Sequence, residues 1–232
     1  MFWAFVEASQ ISGSSVRIDG KKGHHLARVL RVRPGERGVA VTDGHEYELE
    51  VIEIEGERVV GRVLGERSAR GEAAIPVALL QAVLPNPDFD AVIEGGTAVG
   101  IRRFVAIQAA RSIGRPPAGR LVRWQAIAQS AAEQSHRGEI PEVAGPMGLS
   151  PALDRVAGSR LLALDPAAST PLMRAIDGSP AYAIAVGPEG GWTDDEMTTF
   201  RDRGAIAVNL GPRVLRARLA PVVAAAILVQ QR

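Results

Sequence analysis

Cysteine is absent from this 232-residue sequence. Its absence excludes disulfide bonds, thiolate nucleophiles, zinc ribbons and iron–sulfur clusters, and it fits a reducing compartment. The four histidines show no regular metal-ligand spacing, so the sequence predicts no metal site. No Ser/His/Asp set is identifiable from spacing either.

Long hydrophobic runs are also absent. The longest strongly apolar run covers residues 222–229, far short of the roughly 20 residues that a membrane-spanning helix needs. The first ten residues, MFWAFVEASQ, lack the basic segment and the long apolar segment of a signal peptide. The sequence therefore predicts a cytoplasmic protein without a membrane partner.

Lysine is scarce, because arginine supplies 25 of the 27 basic residues. The net charge is only +1, but charges are segregated along the chain. Residues 17–37 carry seven bases and two acids, and residues 43–57 carry seven acids and no base. Residues 95–132 and 211–232 carry arginines and no acid. Such basic faces are typical of nucleic-acid binders, although solvated charge clusters or an arginine-rich genome would produce the same pattern.

The first 70 residues predict a small β-barrel. Residues 39–42 lead into the turn signal Asp-Gly, and residues 47–51 alternate between apolar and acidic side chains, as in a half-buried strand. A further strand is expected at 58–64, and one helix at 24–30 with Leu26, Val29 and Leu30 on one face. Residues 65–74 form a polar linker in this prediction, so the expected domains are 1–70 and 71–232.

The second domain is predicted to be an α/β domain. Apolar strand-like segments alternate with helix-like segments, which favours a mostly parallel sheet with helices on both faces. The expected strands are 75–83, 104–108, 160–164, 182–186 and 205–210, and the expected helices are 88–99, 120–135, 193–203 and 221–231. The last helix is apolar nearly all round, so it must be buried on more than one side. A second subunit is one way to cover it.

Two loops follow predicted strands in the C-terminal half. Residues 187–191 (GPEGG) lead into a helix with a capping box at Thr193 and Glu196, and glycines there let a ligand approach the backbone. Residues 210–216 (LGPRVLR) add two arginines after the next strand. The two loops would share one pocket if their strands were neighbours. A tight turn and ordinary surface charge are the alternatives.

These strings together resemble a known family. They are HHLARVLRVRPGERG (24–38), VTDG (41–44), LLQAVLP (79–85), RW with AAEQSHRGEIPEV (123–143), VGPEGGW (186–192) and LGPRVLRA (210–217). In this order, over nearly the whole chain, they resemble the bacterial small-subunit ribosomal RNA uridine-N3 methyltransferases of the SPOUT superfamily. The resemblance implies a PUA-like β-barrel followed by an α/β domain with a trefoil knot. It also implies a homodimer that methylates N3 of a uridine in 16S ribosomal RNA with S-adenosylmethionine.

Positions in the sequence, taken together with the implied reaction, assign residues to roles. Arg216 is the expected catalytic residue, because a guanidinium there would stabilise the uracil anion. The expected cofactor-binding residues are Leu164, Gly187, Pro188, Glu189, Gly190, Gly191, Leu210, Gly211, Val214 and Leu215. The expected RNA-binding residues are Arg28, Arg31, Arg111 and Arg137. A surface ion pair with Glu133 is the alternative for Arg137, and pairing with the acids of 43–57 is the alternative for the basic stretch 17–37.

Several polar positions depart from the family pattern. Arg218 stands where the family usually has Glu, and Asn86 and Phe89 stand where basic residues are usual. Gly95 and Ala98 replace a usual Lys and Glu. These changes leave open a non-catalytic RNA-binding or ribosome-assembly protein on the same scaffold. An unrelated nucleotide-binding α/β protein is a third interpretation, although no phosphate-binding fingerprint is present.

Overall fold

The computed structural model describes residues 1–113, 116 and 119–231. Arg115 and Arg232, which belong to the arginine-rich stretches noted above, lie outside the described residues. The chain forms two compact units. The first consists of residues 1–72 and 132–139, and the second of residues 73–131 and from 140 onward. The boundary predicted at residue 70 lies close to the first change of unit. The prediction did not assign the segment 132–139 to the first unit.

A six-stranded mixed sheet forms most of the first unit. Its strands are β1 (Phe2–Phe5), β2 (Ile11–Ser12), β3 (Ser15–Ile18), β4 (Arg37–Thr42), β5 (His45–Glu55) and β6 (Arg58–Ser68). The order is β1-β4-β5-β6-β3-β2, with β1 parallel to β4 and the other pairs antiparallel. Residues 65–68 were predicted as linker, but they extend β6 because they pair with residues 45–48 of β5.

The predicted helix at 24–30 is present but begins earlier. An α-helix, α1 (Gly20–His24), continues as a π-helical segment (His25–Leu30). Leu26 is buried, whereas Val29 and Leu30 are 59% and 53% exposed. The single apolar face expected from 3.6-residue spacing is therefore wrong, because a π-helical turn contains more residues than an α-helical one.

The segment 132–139 is tied to the start of the chain within the first unit. The indole Nε1 of Trp3 donates a hydrogen bond to the carbonyl of Arg137 at 3.0 Å. The Trp3 ring stacks on His136, with centroids 4.8 Å apart. Lys22 forms an ion pair with Glu133. Side-chain contacts, rather than strand pairing, thus attach this segment to the first unit.

The second unit contains a six-stranded sheet in which all pairs are parallel, where the sequence predicted a mostly parallel sheet. Its strands are β7 (Val77–Ala82), β8 (Arg103–Ile107), β9 (Glu142–Met147), β10 (Arg160–Leu164), β11 (Tyr182–Val186) and β12 (Ile206–Val208). The order is β12-β10-β11-β7-β8-β9. Strand β9 was not predicted from the sequence.

Helices cover both faces of this sheet. They are α2 (Asp88–Val99), α3 (Arg120–Gln134), α4 (Leu149–Asp154), α5 (Leu172–Ala175), α6 (Asp194–Asp202) and α7 (Ala220–Val229). Alternate residues of β7 enter two separate hydrophobic clusters: Val77 and Leu79 join one, and Ala78 and Leu80 the other. The described residues include no helix long and apolar enough to cross a membrane. Pro221 is the second residue of α7 rather than the first.

Two adjacent glycines let α2 pack closely against its neighbours. A Cβ atom on Gly96 would lie 2.7 Å from Phe104 Cε1 and 2.8 Å from Ile101 Cδ1. A Cβ atom on Gly95 would lie 3.2 Å from Cγ2 of Val222 in α7. The helix-propensity penalty of the two glycines is therefore accompanied by close packing that larger residues would disturb.

Candidate functional site

A cavity of about 490 Å³ opens at the carboxyl ends of β10, β11 and β12. In open α/β sheets this edge is where ligands bind. The segments that line the cavity follow the three strands: 164–166 after β10, 186–192 after β11, and 210 with 213–217 after β12. Arg111, Met197 and Ala220 complete the lining.

The two predicted loops share this cavity although their strands are not neighbours. Strand β10 lies between β11 and β12 in the sheet. The expectation that the two loops would share a pocket only if their strands were neighbours was therefore wrong. The loops still meet because the end of β10, with Leu164 and Asp165, lies between them and lines the same cavity.

The loop 187–191 is held in one conformation by backbone hydrogen bonds. The N–H of Gly191 donates to the carbonyl of Pro188 at 2.8 Å, which closes a turn with Glu189 and Gly190 at its centre. Nη1 of Arg111 donates to the carbonyl of Gly190 at 2.8 Å and to that of Trp192 at 3.2 Å. Arg111, predicted to bind RNA, therefore supports this loop in the structure.

Glycine at two of the loop positions has a specific reason. Gly191 has a φ of +69°, in the left-handed region that favours glycine. A Cβ atom on Gly187 would lie 3.3 Å from the carbonyl carbon of Gly191 and from Cε2 of Trp192. These glycines keep the turn compact and leave its backbone accessible to a ligand.

The predicted capping box of α6 is confirmed, and it has an additional partner. Oγ1 of Thr193 accepts from the N–H of Glu196 at 3.2 Å, and Oε2 of Glu196 accepts from the N–H of Thr193 at 2.9 Å. Oε1 of the same carboxylate accepts from the N–H of Ala110 at 2.9 Å. Glu196 therefore links the start of α6 to the segment that carries Arg111. The hydrogen bond from Ala110 was not predictable from sequence spacing, because Ala110 and Glu196 are 86 positions apart.

The loop 210–217 gives the cavity a cationic wall. Arg213 and Arg216 are exposed, line the cavity and form no ion pair with the described residues. The carbonyl of Arg216 accepts from the N–H groups of Leu219 and Ala220 at 2.8 and 3.0 Å, which fixes the backbone just before α7. Leu210 and Leu215 pack against the hydrophobic core. The cavity thus combines apolar side chains, guanidiniums, and the carboxylates of Asp165 and Glu189.

Most of the residues assigned to the cofactor line this one cavity. Gly211 is the exception: it follows Leu210, and its N–H donates to Oδ1 of Asn209 at 2.9 Å. Arg216 lines the cavity as well. Lining residues to which the sequence assigned no role are Asp165, Pro166, Val186, Trp192, Met197, Ala217 and Ala220, whereas Arg213 lies in the loop 210–216 that was expected to share the pocket. Four of these seven, Asp165, Val186, Trp192 and Ala217, lie directly beside segments already identified, so their position in the sequence could have indicated them.

The RNA-binding role predicted for Arg137 is contradicted by the structure. Its side chain is 2% exposed and forms a two-pronged ion pair with the carboxylate of Glu72. Oε1 of Glu72 also accepts from the N–H groups of Gly138 and Glu139 at 3.1 and 3.2 Å. Glu133, the alternative partner, accepts from Lys22. Arg137 stabilises the first unit.

Arg28 and Arg31, by contrast, lie on the surface of the first unit. Both are exposed, and Arg31 has a φ of +55° directly after the π-helical segment. Of the seven bases in 17–37, only Arg37 pairs with an acid of the run 43–57, namely Glu48. Lys22 pairs with Glu133, and the other five form no ion pair with the described residues. The acidic run therefore does not neutralise most of the basic stretch.

The acids of 43–57 instead pair mostly with the neighbouring strand. Glu46, Glu50 and Glu55 form ion pairs with bases of β6; the bases are Arg67, Arg62 and Arg58, respectively. This explains why equal numbers of opposite charges in two sequence stretches did not become partners: the antiparallel hairpin β5–β6 places the acids beside β6.

Most positions that depart from the family pattern have structural partners here. Nη1 of Arg218 lies 3.0 Å from Oδ1 of Asp88. With its amide oxygen turned toward Arg120, Asn86 accepts from that guanidinium.

The other departures are apolar or small. Phe89 is buried and packs on Trp124, with ring centroids 4.3 Å apart. Gly95 faces Val222. Nothing in the structure explains Ala98, which is exposed. The departing positions that have structural partners therefore make their contacts around α2 and do not line the cavity.

Comparisons with known proteins agree with this architecture. An RNA methyltransferase domain model matches residues 71–229, and an RNA methyltransferase PUA domain model matches residues 18–64. The chain is 34% identical to "Ribosomal RNA small subunit methyltransferase E" of Synechocystis sp., over 95% of this chain and 75% of that protein. The protein of the same name from Mycobacterium bovis is also 34% identical, over 95% of this chain and 88% of its own length.

A solved structure with the same name matches over nearly the whole chain. It is the crystal structure of ribosomal RNA small subunit methyltransferase E from Neisseria gonorrhoeae bound to S-adenosyl methionine. It is 29% identical to this chain, has a TM-score of 0.90, and the match covers 98% of this chain and 96% of that one. The predicted combination of a PUA-like domain with an α/β methyltransferase domain is thereby confirmed, and the knot stays a prediction.

Proposed function

Since the chain belongs to the RNA methyltransferase family of the ribosomal RNA small subunit methyltransferase E proteins, we propose that it methylates N3 of a uridine in 16S ribosomal RNA. The methyl donor in this proposal is S-adenosylmethionine, the molecule bound in the related Neisseria structure. One observation carries the proposal: the two loops that bear the family motifs line a single cavity with Arg216.

The lining residues fit S-adenosylmethionine. A cavity of about 490 Å³ is within the usual range for small-molecule sites. Leu164, Leu210 and Leu215 offer apolar contacts for the adenine, and the turn around Gly190 has a backbone that a ligand can approach closely. The sulfonium of S-adenosylmethionine supplies an electrophilic methyl group.

The protein's own residues then orient the base and stabilise charge. N3 of uracil carries a proton at neutral pH and becomes nucleophilic only when that proton leaves. The resulting anion spreads its charge onto O2 and O4, and the Arg216 guanidinium is the group we assign to stabilise it. The target base must also be exposed from structured RNA, which requires unstacking.

RNA would be held by the first unit. Arg28 and Arg31 are exposed and free of ion pairs with the described residues. They share this surface with the exposed apolar side chains of Val29 and Leu30. Guanidiniums beside apolar groups suit a phosphate backbone with unstacked bases.

The proposal also includes a homodimer and a cytoplasmic location. Helix α7 is apolar along its length, and Val222, Val223, Ala226 and Ile227 stay only half-buried within this chain. A second copy covering them would remove that apolar surface from water. Light scattering is expected to give about twice the 24.5 kDa of one chain; a monomer at micromolar concentration would contradict the dimer.

Mass mapping of 16S ribosomal RNA tests the proposed reaction. Small subunits from a strain lacking the gene are incubated with the protein and S-adenosylmethionine, and N3-methyluridine is expected at one position. Calorimetry measures S-adenosylmethionine binding separately. Arg216→Ala is expected to keep the cofactor affinity and to lose about 10²-fold or more in rate. Binding without methylation of any uridine would contradict the proposed reaction and favour the non-catalytic alternative.

A further inference from the structure

The cavity holds few groups that are able to accept a proton. Its titratable lining residues are Arg111, Arg213, Arg216, Asp165 and Glu189. Among the described residues, no histidine, lysine, cysteine or tyrosine lines it. An arginine guanidinium stays protonated in proteins and cannot serve as a base. The two carboxylates are therefore the available side-chain proton acceptors.

Asp165 is committed to local structure. Its Oδ1 accepts from the N–H of Ala167 at 2.8 Å, and its carbonyl accepts from the N–H of Ala168 at 3.0 Å. Its own N–H donates to the carbonyl of Val208 at 2.9 Å. Both its backbone and its side chain thus shape the turn that follows β10, which makes Asp165 a structural residue of the cavity.

Glu189 is a carboxylate without a partner on a fixed support. It occupies a central position of the turn 188–191, is exposed, and forms no hydrogen bond or ion pair through its side chain with the described residues. The turn itself is closed by the Gly191–Pro188 bond and held by Arg111. A fixed turn holds the carboxylate in place, so the carboxylate needs little rearrangement before it reacts. A general base must be positioned in this way.

From this arrangement we propose that Glu189 accepts the proton of uridine N3, an inference that rests on the proposed uridine methylation. The N3–H proton passes to a carboxylate oxygen of Glu189, and the electron pair left on N3 forms the bond to the methyl carbon. The bond between that carbon and sulfur breaks, and its electron pair stays on sulfur in S-adenosylhomocysteine. Glu189 then returns the proton to water. Arg216 favours the same step by stabilising the uracil anion.

This role differs from the cofactor contact that the sequence assigned to Glu189. A carboxylate that contacts the cofactor would change cofactor affinity when its charge is removed. A proton acceptor would change the rate and leave cofactor affinity unchanged. Glu189→Gln separates the two roles because it keeps the shape of the side chain and removes its charge and its basicity.

The experiment compares the wild-type protein, Glu189→Gln and the control Asp202→Asn. Asp202 is an exposed acid at the end of α6 that does not line the cavity. Calorimetry measures S-adenosylmethionine affinity, and single-turnover methylation is followed on small subunits that contain either uridine or 5-fluorouridine. Fluorine withdraws electrons and makes the N3 proton more acidic, so the reaction depends less on a base.

The proposal expects three results for Glu189→Gln. Its S-adenosylmethionine affinity stays at the wild-type value, and its methylation rate on uridine falls by about 10²-fold or more. On 5-fluorouridine, the ratio of the wild-type rate to the variant rate is smaller than on uridine. The control variant keeps both affinity and rate. A wild-type rate, a loss of affinity equal to the loss of rate, or an equal gap on both substrates would overturn the role of Glu189. Wild-type protein that binds the cofactor but methylates no uridine N3 would overturn the proposed function, and this inference with it.

Discussion

Gly190 lies close to the side chain of Arg111 in the turn 188–191. A Cβ atom there would lie 3.3 Å from Cδ of Arg111 and 3.4 Å from its Cβ. Valine at this position would push the Arg111 side chain away from the carbonyls of Gly190 and Trp192 that it now holds. The turn would lose two hydrogen bonds and part of its fixed geometry.

Gly190→Val is therefore expected to weaken S-adenosylmethionine binding by tenfold or more, equivalent to about 1.4 kcal/mol, with little change in melting temperature. Calorimetry and thermal unfolding measure the two effects. Gly65→Val is the matched control, because Gly65 is exposed and a Cβ there meets no atom within 4 Å. Unchanged affinity in Gly190→Val would contradict the placement of the cofactor.

Arg137 is a residue whose ion-pair partner could not be predicted from the sequence. The spacing placed it near Glu133, but its partner Glu72 is 65 positions away. Only the tertiary fold brings the two together. The cavity-lining glycines were predictable because they lie in the short loop between β11 and α6, which the local sequence pattern identifies.

Replacing Arg137 with alanine is expected to lower the free energy of unfolding by about 3 kcal/mol, since it leaves the mostly buried Glu72 carboxylate without its guanidinium. Denaturant unfolding measures the change. Arg33→Ala, an exposed arginine without an ion pair to the described residues, is the control and is expected within about 0.5 kcal/mol of the wild type. Equal stability of the two variants would show that the buried pair contributes nothing.

At the scale of elements, α2 depends on glycines that propensity alone disfavours. The predicted helix 88–99 matches α2, so periodicity identified the element in spite of Gly95 and Gly96. It did not identify the reason for them, which is the nearness of α7 and of the chain around Phe104. Strand β9 and the extension of β6 were missed because pairing across the sheet, rather than local pattern, defines them.

The two glycines are expected to respond differently to alanine. Gly96→Ala should destabilise the protein by about 1–3 kcal/mol, because the added methyl meets Phe104 and Ile101 at less than 3 Å. Gly95→Ala should stay within about 1 kcal/mol of the wild type, since the gain in helix propensity offsets the closer contact with Val222. Chemical denaturation of both variants measures this, and an equal or reversed order would contradict the packing described for α2.

At the scale of the whole molecule, the segregation of charges along the sequence correctly predicted a basic surface. It did not predict which acids and bases form ion pairs. Arg28 and Arg31 are exposed and not paired with the described acids, whereas Arg58 and Arg62 of the same unit pair with Glu55 and Glu50. This contrast supplies a matched pair of double variants.

Arg28→Ala with Arg31→Ala is expected to weaken RNA binding and to reduce its salt slope by up to about two, because two phosphate contacts and their released counterions are lost. Arg58→Ala with Arg62→Ala should leave the slope unchanged. Filter binding across a salt series measures the slope, and calorimetry should give the same S-adenosylmethionine affinity for both. A lower melting temperature with an unchanged slope in the first variant would remove the first unit from RNA recognition.

The membership of residues 132–139 in the first unit has a consequence for how the protein is made. The chain changes unit three times, after residues 72, 131 and 139. A ribosome that has released only the first 72 residues has therefore not yet supplied Glu133, His136 and Arg137, which contact Lys22, Trp3 and Glu72. During translation the N-terminal unit cannot be completed before residues 73–131 of the second unit have also emerged, so the usual order of domain by domain folding along a nascent chain does not apply here.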